Sequence, residues 1–200
     1  MTRAPEAPAE GPRLRLRRPR PEERDLLFDW YNDPEVVAPF DRFELSTREE
    51  FEADLDAALR DPRALGPRYV IERRSDAAPL GMVGHYRAHP VLTLTDIWYV
   101  LAATEARRKG YGTEAVELLV DHLFRSEDLP RIGASTDVDN TGSFRLLERL
   151  GFRREGELRE ALFHHGRYHT VYLYGVTRSE WELRDRGPTR MSPGSPPSDP

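Results

Sequence analysis

The 200-residue chain contains no cysteine. That excludes disulfides, thiolate zinc sites and a cysteine nucleophile in one step, and it fits a reducing compartment. Lysine is nearly as scarce: Lys109 stands alone, and every other basic side chain is arginine or histidine. No apolar run approaches the roughly 20 residues needed to span a bilayer. Residues 1–12 are rich in Pro, Ala and Glu and lack the apolar core of a signal peptide. The expected setting is the cytoplasm, with no membrane partner. The net charge is only -5, whereas nucleic-acid-binding domains carry strongly basic faces. No nucleic-acid partner is expected.

What is present reads as one domain over residues 13–185, between disordered tails at 1–12 and 186–200, where Pro, Ser and Gly dominate the C-terminal segment. Leu14 and Leu16 alternate with arginines, the period of a half-buried strand. Pro21, Glu22 and Glu23 suit the first turn of a helix, with Leu26, Leu27, Trp30 and Tyr31 on its apolar face. Thr47 and Glu50 form a capping box ahead of Phe51, Leu55, Ala58 and Leu59. Residues 69–73 and 80–87 read as a hairpin and 91–101 as a third strand. A strong helix starts near Gly112, with Val116, Leu119, Val120 and Leu123 on one face. A strand at 131–138, a helix at 143–150 closed by Gly151, and strands at 152–158 and 169–176 complete the order. The pattern is α+β: a mixed sheet with helices packed on its faces.

Between the third strand and the strong helix lies Arg107-Arg108-Lys109-Gly110-Tyr111-Gly112-Thr113. The first N–H groups of a helix have no intrahelical partner, and the helix dipole adds positive charge there. Glycines let a phosphate approach the backbone, and three cations stand beside them. The segment lacks the Gly-Lys-Ser/Thr ending of a P-loop. Gly110-x-Gly112-x-x-Ala115, with Asp137 or Asp139 further on, fits the relaxed dinucleotide fingerprint. However, the intervening loop is longer than that fold's tight turn allows.

A second block follows at a fixed distance: Asn140-Thr141-Gly142-Ser143, then Leu146, Leu147, Leu150-Gly151-Phe152, Glu155-Gly156 and Leu158-Arg159. Together the two blocks resemble the GNAT acetyltransferases, and the Asn-x-x-Ser before a helix ending in Gly-Phe is similar to their RimJ/RimL-type branch. Gly166-Arg167-Tyr168 ahead of an aromatic-rich last strand adds to the likeness. The resemblance covers roughly residues 13–181. It implies a mixed, mostly antiparallel sheet with a central splay between the strands at 91–101 and 131–138. It implies acetyl-CoA as acyl donor, with pantetheine beside the backbone of Tyr99, Val100 and Leu101. The pyrophosphate would rest on Arg107, Arg108, Lys109, Gly110, Tyr111, Gly112 and Thr113. Asn140 and Ser143 would contact the coenzyme, and no metal is required.

Acetyl transfer to an amine requires something to accept the amine's proton and something to meet the departing thiolate. A backbone N–H near Val100 is the candidate oxyanion donor. By resemblance, Ser143 assists the thiolate. The position four residues on, a tyrosine in many other members, is Leu147 here. Asp96 is the leading candidate base, with His85 on the preceding strand as the other. His164, His165 and His169 read as loop residues near the substrate entrance, with no acidic set beside them. Asp33, Glu35, Asp41 and Glu44 make one variable region acidic, which suits a cationic amine. The acceptor would be a small-molecule or peptide amine, and a homodimer is one assembly left open. The alternative is an acyl-CoA-binding sensor or accessory protein without turnover.

Overall fold

Leu14 and Leu16 are buried to 0% and 1% exposure on one face, and Arg15 and Arg17 alternate with them to pair with the buried Glu72 on the other. That alternation is repeated across the molecule. The computed structural model describes residues 9–33, 36, 47–60, 68–88, 94–164 and 166–185. Its strands are β1 (Leu14–Arg17), β2 (Arg68–Arg73), β3 (Pro79–Arg87), β4 (Thr95–Leu101), β5 (Arg131–Asp137), β6 (Arg153–His164) and β7 (Arg167–Thr177). They form one seven-stranded sheet in the order β1-β2-β3-β4-β5-β7-β6. Every neighbouring pair is antiparallel except β4–β5.

The helices are α1 (Arg24–Asn32), α2 (Arg48–Arg60), α3 (Tyr111–Ser126), α4 (Thr141–Arg149) and α5 (Arg178–Asp185). Their apolar stripes divide the core in two. Leu27 of α1 with Phe51 and Leu55 of α2 cover Val70, Met82 and Val100 on one face. Val116, Leu119, Val120 and Leu123 of α3, Leu147 of α4 and Trp181 of α5 cover Leu14, Ile71, Val83 and Ile97 on the other. The mixed sheet with helices on both faces is therefore as expected. The Thr47–Glu50 capping box also forms, through Glu50 N–H to Thr47 Oγ1 at 3.2 Å and Thr47 N–H to Glu50 Oε2 at 2.9 Å.

Three elements differ from the sequence reading. The third strand begins at Thr95; residues 91–93 lie outside the described ones. β6 runs on to His164 rather than stopping at Leu158, because two register shifts, at 154–156 and 158–162, break its alternation. α5 was not anticipated, although Thr177 and Glu180 spell a capping box. Thr177 N–H donates to Glu180 Oε2 at 2.9 Å, and Glu180 N–H donates back to Thr177 Oγ1 at 3.3 Å. Ala9 to Gly11, grouped by composition with the N-terminal tail, fold back on β1: Leu16 N–H donates to Ala9 O at 2.8 Å and Gly11 N–H to Leu14 O at 2.9 Å.

Candidate active site

β4 and β5 are joined by a single register pair, Asp96 opposite Gly133. Beyond it β4 keeps only β3 as partner, with Tyr99, Val100 and Leu101 opposite Val83, Met82 and Gly81. β5 keeps only β7. Two parallel strands that meet at one pair and then diverge leave a wedge between them. A β-carbon on Gly133 would lie 2.2 Å from Asp96 Oδ1, so only glycine lets the carboxylate cross β5 at the apex.

The basic turn lies at the open end of the wedge. After β4, a short 3-10 turn at Thr104–Ala106 leads to Arg107, whose Nε is 3.4 Å from Leu101 O. Gly110 caps α3 with φ +79°, and Arg108 has φ +62°. A left-handed arginine is uncommon and costs about 1–2 kcal/mol; such strain gathers where backbone direction matters. Arg107, Arg108 and Lys109 are exposed. Gly112 is packed, since a β-carbon there would meet Leu146 Cδ1 at 3.2 Å and Leu101 Cδ1 at 3.3 Å. A bare backbone, left-handed geometry, a helix N-terminus and three cations suit a pyrophosphate.

On the α3 side of the wedge, Asn140 Oδ1 accepts from Ser143 N–H at 3.1 Å and so caps α4. Ser143 Oγ lies 2.7 Å from Tyr99 Oη, with either atom able to donate. Burial pushes the Tyr99 phenol up to about 12, so it stays protonated at neutral pH. A β4 hydroxyl and an α4 hydroxyl thus meet across the splay. Leu147 is fully buried in the core, with no polar group to offer.

Asp96 pairs in register with Tyr86 on β3. Burial raises its carboxyl above the ordinary range; Arg131 opposes that rise and Glu155 adds to it. Arg131 and Glu155 are themselves ion-paired at 2.5 Å. His85, opposite Ile97 and so one residue along from Asp96, turns to the other face of the sheet: its Nε2 is 3.4 Å from Glu127 Oε1, just past the C-terminus of α3. That helix separates it from the basic turn by roughly 24 Å at 1.5 Å per residue.

The sequence profile of the acetyltransferase (GNAT) domain matches residues 13–153. The chain belongs to the GNAT family. Among curated relatives, the uncharacterized N-acetyltransferase p20 of Bacillus licheniformis is 30% identical over 176 residues, 84% of this chain and 95% of that protein. The uncharacterized N-acetyltransferase YoaA of Bacillus subtilis is 28% identical over 171 residues, 84% and 96% of the two chains. Solved structures share the fold. A spermidine N-acetyltransferase from Vibrio cholerae, in complex with CoA and spermine, superposes with TM-score 0.77 at 21% identity, covering 85% of this chain and 98% of its own. A ribosomal-protein-S5-alanine acetyltransferase from Vibrio fischeri superposes with TM-score 0.75 at 20% identity, covering 88% and 99%. This GNAT protein is an acetyl-CoA-dependent N-acetyltransferase.

Within the GNAT fold, Tyr99, Val100, Leu101, Asn140 and Ser143 gather at the wedge, and residues 107–113 lie at its mouth. Asp96 lies at the apex. The sequence reading did not foresee the Tyr99 side chain as the partner of Ser143. The strand alternation that puts Tyr99 on the face of Ile97 was its one signal.

The reading of His169 requires correction. It is not a loop residue without acidic neighbours: it lies in β7, 5% exposed, with Nδ1 2.7 Å from Asp137 Oδ2 and 3.5 Å from Asp139 Oδ2. The sequence separation of His169 and Asp137 hid the contact, which the β5–β7 pairing creates. Asp137, Asp139 and His169 bring three ligand-type atoms within 4.8 Å of one another. Arg167 already pairs with Asp139 at 2.6 Å, so the cluster reads as an ion-pair network behind the α4 N-terminus. Glu35, Asp41, Glu44 and His165, taken from the sequence as acceptor-side groups, lie outside the described residues. No helix among the described residues is long and apolar enough to cross a membrane.

Proposed function

We propose that the protein transfers the acetyl group of acetyl-CoA to a primary amine by direct attack, with Ser143 meeting the departing thiolate and Asp96 taking up the amine's proton. The observation that carries this reading is the 2.7 Å contact between Ser143 Oγ and Tyr99 Oη across the splay. Tyr99 remains a hydroxyl at neutral pH. When it donates to Ser143 Oγ, the serine hydroxyl is free to donate toward sulfur, and a proton lost there can be replaced through Tyr99.

The backbone of Tyr99, Val100 and Leu101 would run beside pantetheine, with an N–H near Val100 facing the developing oxyanion. Residues 107–113 would hold the pyrophosphate, and Asn140 would keep Ser143 in place. Asp96 suits a base because burial lifts its carboxyl, and a base works best when its affinity for protons approaches the working pH. Acceptors to test first are spermidine and an N-terminal alanine peptide, since relatives of the same fold are named for spermidine and for a ribosomal-protein alanine.

The test is turnover of acetyl-CoA with those amines, beside calorimetric titration of acetyl-CoA. Ser143→Ala is expected to lower kcat by about 100-fold, the usual scale for a positioned proton donor, with acetyl-CoA affinity within about threefold of wild type. Wild-type kcat in that variant would remove Ser143 from the mechanism. Coenzyme binding without turnover across an amine panel would favour a non-catalytic acyl-CoA sensor.

A further inference from the structure

Arg13 precedes β1 and belongs to neither of the sequence blocks that mark the coenzyme site. It is nevertheless in contact with the basic turn. Its Nη1 donates to Lys109 O at 2.9 Å. Its Cζ stands 4.6 Å from the centre of the Tyr111 ring. A β-carbon on Gly110 would lie 3.3 Å from its Nη2.

The other end of the contact is Glu114, in the first turn of α3. Its carboxylate does not cap its own helix. Instead Oε1 accepts from the backbone N–H of Arg13 at 2.8 Å and of Leu14 at 3.0 Å, and Oε2 accepts from Arg13 Nε at 2.7 Å. The chain thereby ties the start of β1 to a turn about one hundred residues away.

Two consequences follow from elementary chemistry. First, Glu114 places a full negative charge beside the helix end that a pyrophosphate would use. Left bare, it would offset one of the cations at 107–109; paired with the Arg13 guanidinium, it does not. Second, the Lys109–Gly110 peptide is followed by a left-handed glycine, Gly110, whose φ leaves the backbone free to reorient. No peptide bond among the described residues is cis, so the Gly110 N–H points opposite to the Lys109 carbonyl. By holding that carbonyl toward β1, Arg13 directs the Gly110 N–H away from β1.

We propose that Arg13 and Glu114 form a positioning clamp for the coenzyme: Arg13 fixes the direction of the turn's amides and masks the Glu114 charge, setting affinity for the pyrophosphate. This rests on the reading of residues 107–113 as the pyrophosphate site.

The experiment is calorimetric titration with CoA of the wild type, Arg13→Ala, Arg13→Lys, Arg13→Ala/Glu114→Gln and Gly112→Val. Arg13→Ala is expected to weaken CoA binding about tenfold, the effect of losing a charge-assisted pair. The defect should shrink as salt rises, since a bare Glu114 is screened. The double variant should bind more tightly than Arg13→Ala alone, because the unmasked charge is gone. A purely structural bond would give no such recovery. Hydrogen exchange should speed up at Gly110 to Thr113 while Leu119 to Leu123 stay protected. Arg13→Lys, which can reach Glu114 or Lys109 O but not both, should weaken binding about threefold, and it carries the test if the alanine variant fails to fold. Wild-type affinity in Arg13→Ala or in Arg13→Lys, with Gly112→Val unable to bind, would overturn the clamp and leave the coenzyme site standing. Failure of the folded wild type to bind CoA would sink the pyrophosphate reading and the clamp with it.

Discussion

Gly133 and Asp96 show how one absent methyl sets the geometry of the wedge. A β-carbon at 133 cannot coexist with the carboxylate 2.2 Å away. Gly133→Ala should fold, because the strand register stays intact. It should lose about 1–3 kcal/mol, the range for overpacking, measured by urea denaturation. It should also displace Asp96 and lower kcat in parallel. The pH dependence of kcat/KM gives the companion test. Because burial holds the Asp96 carboxyl above its ordinary range, the acidic limb should fall at higher pH than a free aspartate near 3.9 would give. Asp96→Asn should abolish that limb; an unchanged limb would remove Asp96 as the base. At this scale, sequence exposed what is contiguous. Gly110 and Gly112 are two apart and flank a helix start, so their place in the fold was legible. Tyr99 and Ser143 are 44 apart and meet only because β4 and α4 flank one splay. No local pattern carries that information.

At the scale of elements, α5 closes the C-terminal end of α3. Arg178, its first residue, donates from Nε to Leu129 O at 3.1 Å and from Nη2 to Glu127 O at 2.8 Å, and Nη1 reaches Phe124 O. These carbonyls lie in and just beyond the last turn of α3, where intrahelical donors run out. The guanidinium charge also suits that end of the dipole. Arg178→Ala should cost about 1–3 kcal/mol through unsatisfied carbonyls, read as a lower urea midpoint with unchanged slope. Arg178→Lys should recover only part of it, because a lysine cannot span several acceptors in one plane. The helices and the early strands followed from period and capping. α3 was the plainest, since its four expected core residues are all fully buried. β6 was cut short at Leu158 because Glu160, with φ +52°, lies in the second irregular stretch and ends the alternation. The capping box at Thr177 was visible in the sequence, but the reading kept residues 178–185 in the domain without giving them an element, because so few apolar side chains there mark a helical face.

For the whole molecule, stability and pH are linked through a buried carboxylate network on one face of the sheet and a half-buried histidine on the other. Glu72 is fully buried and is bound by Arg17, Arg15 and Arg20, while Arg17 also pairs with Glu23 at 2.5 Å. Burial alone would raise the Glu72 carboxyl, but hydrogen bonds from Arg17 and Arg15 outweigh it and leave it below the usual range. Glu23 is held low in the same way, burial opposing and Arg17 prevailing. A carboxyl depressed in the folded state contributes stability above its unfolded pKa, near 4.3, and loses it as pH falls through the folded value. On the far side of the sheet, His122 faces Tyr69 Oη at 3.4 Å, with His85, Glu127 and Arg125 around it. Burial lowers its pKa, and His85 lowers it further. The neutral ring is thus favoured on folding, so stability is full above about 6.5 and declines as pH falls below that. Both shifts act in the same direction: unfolding free energy should decline first as pH falls below about 6.5, then more steeply below about 4.3. His122→Gln should flatten the first decline and leave the second. Glu72→Gln should cost about 1–3 kcal/mol at pH 7, where it leaves the buried Arg17 with Glu23 as its remaining carboxylate, and its deficit against wild type should narrow as acid protonates Glu72 in the wild type. Urea titrations at pH 8, 7, 6, 5 and 4 would decide it. A deficit that stays constant down to pH 4 would mean that the Glu72 charge does not hold β1 to β2, and that packing of Leu14, Leu16 and Ile71 does.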